Sequence, residues 1–251
     1  MRSVIPSRLM SEREYERMPY RVQIEFRTAS SFLVAYSVNL SRGGLFLETE
    51  HDVPTGSQIG LELQIPKIDP VGLVGVVAWR RPPESPDGPA GLGIEFQDVA
   101  PQLGPVIDHL VTAFHGVHIL VVSGNRGDRT TLSRLIKSII STSEIVQAAE
   151  ASVADSLMSA ELDLAVVDVD FDGDGGLAAI RAAKAQHPPV PTVAITSSAH
   201  MRDLARAAGA DEVASNPPPF AELQVMLVRA LSKPVGVINQ TPPLPPADPA
   251  S

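Results

Sequence analysis

Residues 39–49 read NLSRGGLFLET, in which an asparagine, a serine and two glycines stand directly ahead of a short strand-forming run. Asn, Ser and Gly are the ordinary residues of tight turns, so the stretch predicts a turn opening into a strand. The same grammar repeats on either side. VQIEF (22–26), FLVAYSVNL (32–40), GSQIGLELQI (56–65), VGLVGVVAW (71–79) and GLGIEF (91–96) are β-rich runs separated by turn residues. Val22, Ile24 and Phe26, and again Leu61, Leu63 and Ile65, alternate with polar neighbours, the period of strands that bury one face. Several short strands in succession predict a small all-β barrel. RRPPESPDGPAG (80–91) is too rich in proline and glycine to continue a strand and reads as an exposed loop. PQLGPVIDHLVTAFHG (101–116) reads as a short amphipathic helix that closes this domain.

Beyond His118 the pattern changes. ILVV, LAVVDV and TVAIT are nearly continuous apolar runs, interleaved with the helix-like segments TLSRLIKSIIS, GLAAIRAAKAQ, HMRDLARAAGA and FAELQVMLVRALSK. Strands of that kind are buried on both faces of a parallel sheet, with helices as crossovers, so the second half predicts a doubly wound α/β domain. The expected organisation is a flexible arm over 1–10, a β domain over 11–116, an α/β domain over 117–235 and a disordered Pro-rich tail over 236–251.

The chain has 251 residues, enough for two domains of about 110 residues with their own cores. Its formal net charge of −9 repels phosphate backbones, which disfavours a nucleic-acid partner. There is no cysteine, which excludes disulfides, thiolate metal sites and thiol nucleophiles. No stretch resembles a signal peptide or reaches the roughly 18 apolar residues of a membrane span, so a cytoplasmic protein is expected.

Two constellations carry chemistry. In the first, Arg17 and Arg21 stand four apart before the first strand, while Asn39, Ser41, Gly43 and Gly44 occupy the turn quoted above. Guanidinium forks pair with phosphate or with the O6/N7 edge of guanine, Asn and Ser hydrogen-bond base edges, and paired glycines bring backbone N–H groups close to an anion. Together they suit a compact, anionic, purine-bearing ligand. Here ERMPYR (16–21) and NLSRGG (39–44) resemble the RxxxR and [D/N]xSxxG elements of PilZ domains, and the likeness extends over residues 11–100, closest to a branch familiar from myxobacteria. The resemblance implies that cyclic di-GMP is bound, with Arg17 and Arg21 on phosphate and guanine, Asn39 and Ser41 on a guanine edge, and Gly44 at the last motif position. Glu16 and Met18 flank Arg17, so the doubled arginine often seen in the family is absent.

In the second, LAVVDVDFDGDGG (164–176) places Asp168 at the end of an apolar strand, where ligands gather in open α/β sheets. Residues 117–233 resemble a response-regulator receiver domain, with Asp168 at the phosphoacceptor position and Thr196 at the switch hydroxyl. Ser123 and Gly124 stand where a receiver has its metal-binding acidic pair, and Asn216 where it has its lysine. Without those charges phosphoryl transfer loses most of its electrostatic support, so a pseudo-receiver is expected. Asp168, Asp170, Asp172 and Gly173 also spell the start of a calcium loop, but the twelfth position is Ala179, not glutamate. No metal is expected, and the scattered histidines have no ligand spacing.

The sequence thus predicts a non-enzymatic bacterial regulator that binds cyclic di-GMP and acts through unidentified protein partners, with motility or polarity machinery as one setting and a homodimer left open. The alternatives are a ligand-independent scaffold and a phosphorylation-controlled response regulator with PilZ output.

Overall fold

A computed structural model describes residues 18, 20–40, 43–86, 89–96 and 100–239. The chain forms two compact units. The first consists of Met1–Phe26, Tyr36–Thr112 and Gly236–Ser251, the second of Arg27–Ala35 and Ala113–Val235.

In the first unit, β1 (Arg21–Glu25), β2 (Gly44–Glu48), β3 (Gln58–Gln64), β4 (Val71–Arg81) and β5 (Gly91–Phe96) follow the β-rich runs. They join one six-stranded sheet with β11 (Gly236–Asn239), in the order β11-β1-β3-β4-β5-β2. β1 runs parallel to β3, and the β3-β4-β5-β2 neighbours are antiparallel. Alternation does what it predicts: Val22, Ile24, Ile59, Leu61, Leu63, Leu73, Val77, Leu92, Ile94, Leu45 and Leu47 are all buried. α2 (Ala100–Thr112) adds Leu103 and Leu110 to that core.

Two expectations for this region are corrected. FLVAYSVNL is not a strand: Ala29–Val38 is a helix, α1. Its start is fixed by a reciprocal cap, in which Ser31 N–H donates to Thr28 Oγ1 (3.0 Å) and Thr28 N–H donates to Ser31 Oγ (3.1 Å). With the end satisfied, Ser31, Phe32 and Ala35 fall on one buried stripe at helical spacing. The second correction concerns residues 236–239, expected to open a disordered tail. They form β11, which pairs antiparallel with β1 from Val22↔Asn239 to Glu25↔Gly236. Residues 240–251, and the arm over 1–10, lie outside the described residues.

The second unit is a five-stranded, all-parallel sheet in the order β10-β9-β8-β6-β7. Its elements are β6 (Val117–Val122), α3 (Arg126–Ile139), β7 (Ser143–Ala148), α4 (Ala151–Leu157), β8 (Leu164–Asp168), α5 (Gly173–Lys184), β9 (Thr192–Ile195), α6 (Ala199–Ala207), β10 (Glu212–Ala214) and α7 (Phe220–Ser232). Numbered from its first strand this is the 2-1-3-4-5 order of doubly wound folds. Leu132 and Ile136 of α3 and Leu223, Leu227 and Leu231 of α7 cover one face of the sheet. Ala154 of α4, Leu177 and Ile180 of α5 and Ala205 of α6 cover the other. β7 and α4 have no counterpart in the sequence reading, because residues 143–157 carry only a weak apolar pattern.

Residues 27–35, which precede the turn over 39–44, belong to this second unit. Arg27 is 3% exposed, and its guanidinium donates to the carbonyls of Leu162 (2.7 Å), Ser159 (2.6 Å) and Pro188. Asp163, 1% exposed, accepts from Thr28 Oγ1 and from the His118 N–H at 2.7 Å. Burying such groups requires that they be hydrogen-bonded, and here the bonds come from residues more than 130 positions apart in sequence.

Candidate functional site

Register determines which residues of the first unit can meet one ligand. Arg21, the first residue of β1, stands opposite Gly60 on β3, and Gly60 opposite Val74 on β4. Two residues along β4, Val76 stands opposite Glu95 on β5, and Glu95 opposite Gly44, the first residue of β2. Side chains at opposed positions share a sheet face. Arg21 and Gly44 therefore lie on the same face, the one turned away from Val22, Leu61, Leu73, Ile94 and Leu45, and one row apart along the strands. Three strands separate β1 from β2 in the hydrogen-bond order. No hydrogen bond among the described residues joins Arg21 to Asn39, Gly43 or Gly44.

The turn itself is built for close approach. Asn39 and Leu40 follow the last turn of α1, and Leu40 is fully buried, which anchors the segment. Gly43 N–H donates to Leu40 O (3.0 Å), and Gly43 O accepts from Phe96 N–H (2.7 Å). Gly43 has φ +83°, a left-handed conformation that a side chain strains. A Cβ on Gly44 would stand 3.0 Å from Ile94 O. Arg21 is half-buried, and its Nε is a buried donor with no partner among the described residues. Arg17 and Ser41 lie outside the described residues.

On the same face, across β2, β4 and β5, Phe46 and Trp79 stack with ring centroids 5.2 Å apart, and Arg81 sits 4.6 Å above the Phe46 ring. Gly93 makes room for Trp79 and Gly91 for Phe46, since a Cβ at either would fall 2.1–2.5 Å from ring atoms. Trp79 is 46% exposed. Sequence reading placed VVAW in a strand but did not single out this cluster, whose signal was the bulky residues facing two alternate glycines.

In the second unit Asp168 ends β8, buried among its neighbours. Ser123 Oγ donates to its Oδ2 at 2.8 Å, and the Asp170 N–H donates to its Oδ1 at 3.0 Å. Thr196 turns to a different carboxylate. Its Oγ1 donates to Asp170 Oδ1, while Asp170 Oδ2 accepts from the Ser197 N–H (2.8 Å) and Asn216 Nδ2 (3.0 Å). Partial burial works to raise the Asp170 pKa, but the bonds from Thr196, Ser197 and Asn216 together outweigh it and hold the carboxyl below its ordinary range. Ser123 and Asn216 thus each donate to one of the two aspartates, Asp168 and Asp170. Phe171 lies against Gly124, where an added Cβ would fall 2.1 Å from its ring.

The acidic loop over 170–174 is a helix start. Asp172 caps α5 by accepting from the Gly175 N–H at 3.0 Å. Among the described residues no group of three or more His, Cys, Asp or Glu is placed to hold a metal ion. No helix among them is long and apolar enough to cross a membrane.

Residues 11–113 match the family model of the PilZ domain. No curated protein matches the chain. Among solved structures, the receiver domain of a Pseudomonas aeruginosa sensor histidine kinase, determined with magnesium in its active-site cleft, is 24% identical, covering 47% of this chain and 99% of that one at a TM-score of 0.42. The signal receiver domain of a DNA-binding response regulator from Colwellia psychrerythraea is 16% identical over 47% of this chain and 99% of its own, with a TM-score of 0.41. A Vibrio cholerae chemotaxis protein is 20% identical over 46% and 98%, with a TM-score of 0.40.

Proposed function

We propose that this chain, a PilZ domain over residues 11–113 joined to a receiver-like α/β unit, is a regulatory protein that binds cyclic di-GMP and signals through protein contacts. The observation that carries the reading is the shared face of Arg21 and Gly44, with the Arg21 Nε left as a buried donor lacking a partner among the described residues. An unpaired buried donor costs about 1–3 kcal/mol, so a guanidinium held this way favours an incoming acceptor. Arg17 and Arg21 take the phosphates and guanine, Asn39 and Ser41 a guanine edge, and the Gly43–Gly44 turn lets the ligand approach the backbone.

The receiver-like unit acts without phosphorylation. Its Asp168 is already hydrogen-bonded by Ser123, Asn216 is spent on Asp170, and the Arg129 guanidinium is engaged by the Ser123 carbonyl. Calorimetry with cyclic di-GMP tests the reading. Saturable binding that is lost in the Arg17→Ala/Arg21→Ala double variant is expected. No heat at tens of micromolar ligand, or equal binding by the double variant, sinks it and leaves a scaffold role.

A further inference from the structure

The edge of the second unit's sheet carries a groove to which the receiver-like pattern gives no role. It has a volume of about 460 Å³ and lies between α3 and the edge strand β7. Thr130, Ser133, Arg134 and Lys137 line it from α3, at helical positions i, i+3, i+4 and i+7, which form one face. From β7 the pleat turns Ser143, Ile145 and Gln147 toward that helix, Ile145 packing on the core beneath α3.

The chemistry of the lining is rich in donors and poor in acceptors. Arg134 makes no ion pair among the described residues, and neither does Lys137, whose Nζ donates to the Ser143 carbonyl and keeps two N–H groups free. Gln147 Nε2 spends one N–H on Ser133 Oγ (3.0 Å), and Ser133 in turn donates to Arg129 O (2.8 Å). Glu144 also borders the groove, but its carboxylate approaches His118 Nε2 at 3.4 Å on the opposite face of the strand. Two cations thus face a groove whose one lining carboxylate, Glu144, is turned to His118, in a chain whose net charge is −9. An independent observation points the same way: Ser143 is 1% exposed, and its Oγ is buried with no hydrogen-bond partner among the described residues. A native buried hydroxyl is normally satisfied.

We propose that this groove binds the phosphate group of a small anionic ligand. Arg134 supplies a guanidinium fork, Lys137 a movable ammonium, and Ser143 Oγ and the second N–H of Gln147 the neutral hydrogen bonds. The site is separate from Arg21 and the glycine turn and does not depend on cyclic di-GMP.

The test is a titration of the ¹⁵N-labelled full chain with inorganic phosphate, at constant ionic strength held with chloride, followed by amide chemical shifts. Saturable shifts centred on residues 130–147 are expected. The Arg134→Gln/Lys137→Gln variant, altered at two exposed side chains and checked for an unchanged spectrum elsewhere, should bind at least tenfold more weakly. Ser143→Ala should weaken binding several-fold without lowering the melting temperature of the free protein, because the hydroxyl has no partner to lose. A purely structural Ser143 would lower it. Guanosine monophosphate titrated in parallel separates the sources: tighter binding than phosphate assigns an organic phosphate, and equal binding the free ion. Shifts that do not saturate, equal affinity in the double variant, or shifts abolished by Arg21→Ala would each overturn the proposal.

Discussion

Ser123 Oγ lies 2.8 Å from Asp168 Oδ2, a bond between two side chains that are 1% and 4% exposed. A neutral hydroxyl therefore sits against the Asp168 carboxylate. Magnesium with beryllofluoride is expected to leave the amide spectrum around residues 168–171 and 196–198 unchanged. Asn216→Lys should not restore a response, because a lysine there supplies a cation without the missing metal carboxylates. A saturable fluoride-dependent shift in the unmodified chain would refute this.

Arg27 and Asp163 should be among the most sensitive positions for stability. Replacing Arg27 with methionine removes three hydrogen bonds from a charged donor, each worth about 1.5–3 kcal/mol. Arg27→Lys keeps the charge but cannot reproduce three diverging bonds, so it should recover only part of the loss. Urea unfolding followed by circular dichroism reads both.

Two carboxyls, buried Asp163 and exposed Asp170, give opposite pH dependences. Burial pushes the Asp163 pKa up, against the opposing bonds from Thr28 and the His118 N–H. Such a group holds its proton more tightly folded than unfolded, so its contribution weakens as pH rises from the ordinary carboxylate value through the raised one. Asp170, held low, contributes fully above the ordinary value and loses that contribution as pH falls through its lowered one. Urea midpoints measured from acid to neutral pH should therefore lose the decline toward neutrality in Asp163→Asn and lose part of the acid-side decline in Asp170→Asn. Unchanged profiles in both would contradict these assignments.

At the turn, Gly43→Ala forces a side chain into φ +83° and should destabilise the first unit by about 1–2 kcal/mol. Under the proposed function it should also weaken cyclic di-GMP binding by more than that loss of folded population explains. Calorimetry at a temperature well below the melting transition separates the two.

Truncation after Val235 removes β11 and exposes the N–H and C=O groups along the edge of β1. A bare edge pairs with other chains, so the truncated protein should show a lower melting temperature and concentration-dependent association by light scattering.

The strands of both units were legible where apolar periodicity was strong, in Leu61, Leu63 and Ile65 or in the run from Leu164 to Asp168. α1 was not, because a ten-residue apolar stretch such as that around Phe32 and Val34 fits a strand or a buried helix equally well by pattern. The distinguishing signal was local, the Thr28-x-x-Ser31 cap, and it was passed over. β11 was hidden by the prolines that follow it, which say nothing of the four residues before them. The candidate nucleotide site was legible as two motifs; that Arg21 and Gly44 share a face follows only from register. The net over Asp170 could not be read, since nothing in the sequence around Asn216 marks it as a donor to an aspartate 46 residues before it.

The division of the chain sets an order of assembly on the ribosome. Residues 27–35 emerge long before the strands they pack with, and β1 waits for a partner strand made only after α7 is complete. Neither unit can reach its final form until α7 has been synthesised. Folding during translation, which usually finishes an N-terminal domain first, is deferred here, because Arg27 waits for carbonyls as far on as Pro188 and the β1 edge for β11.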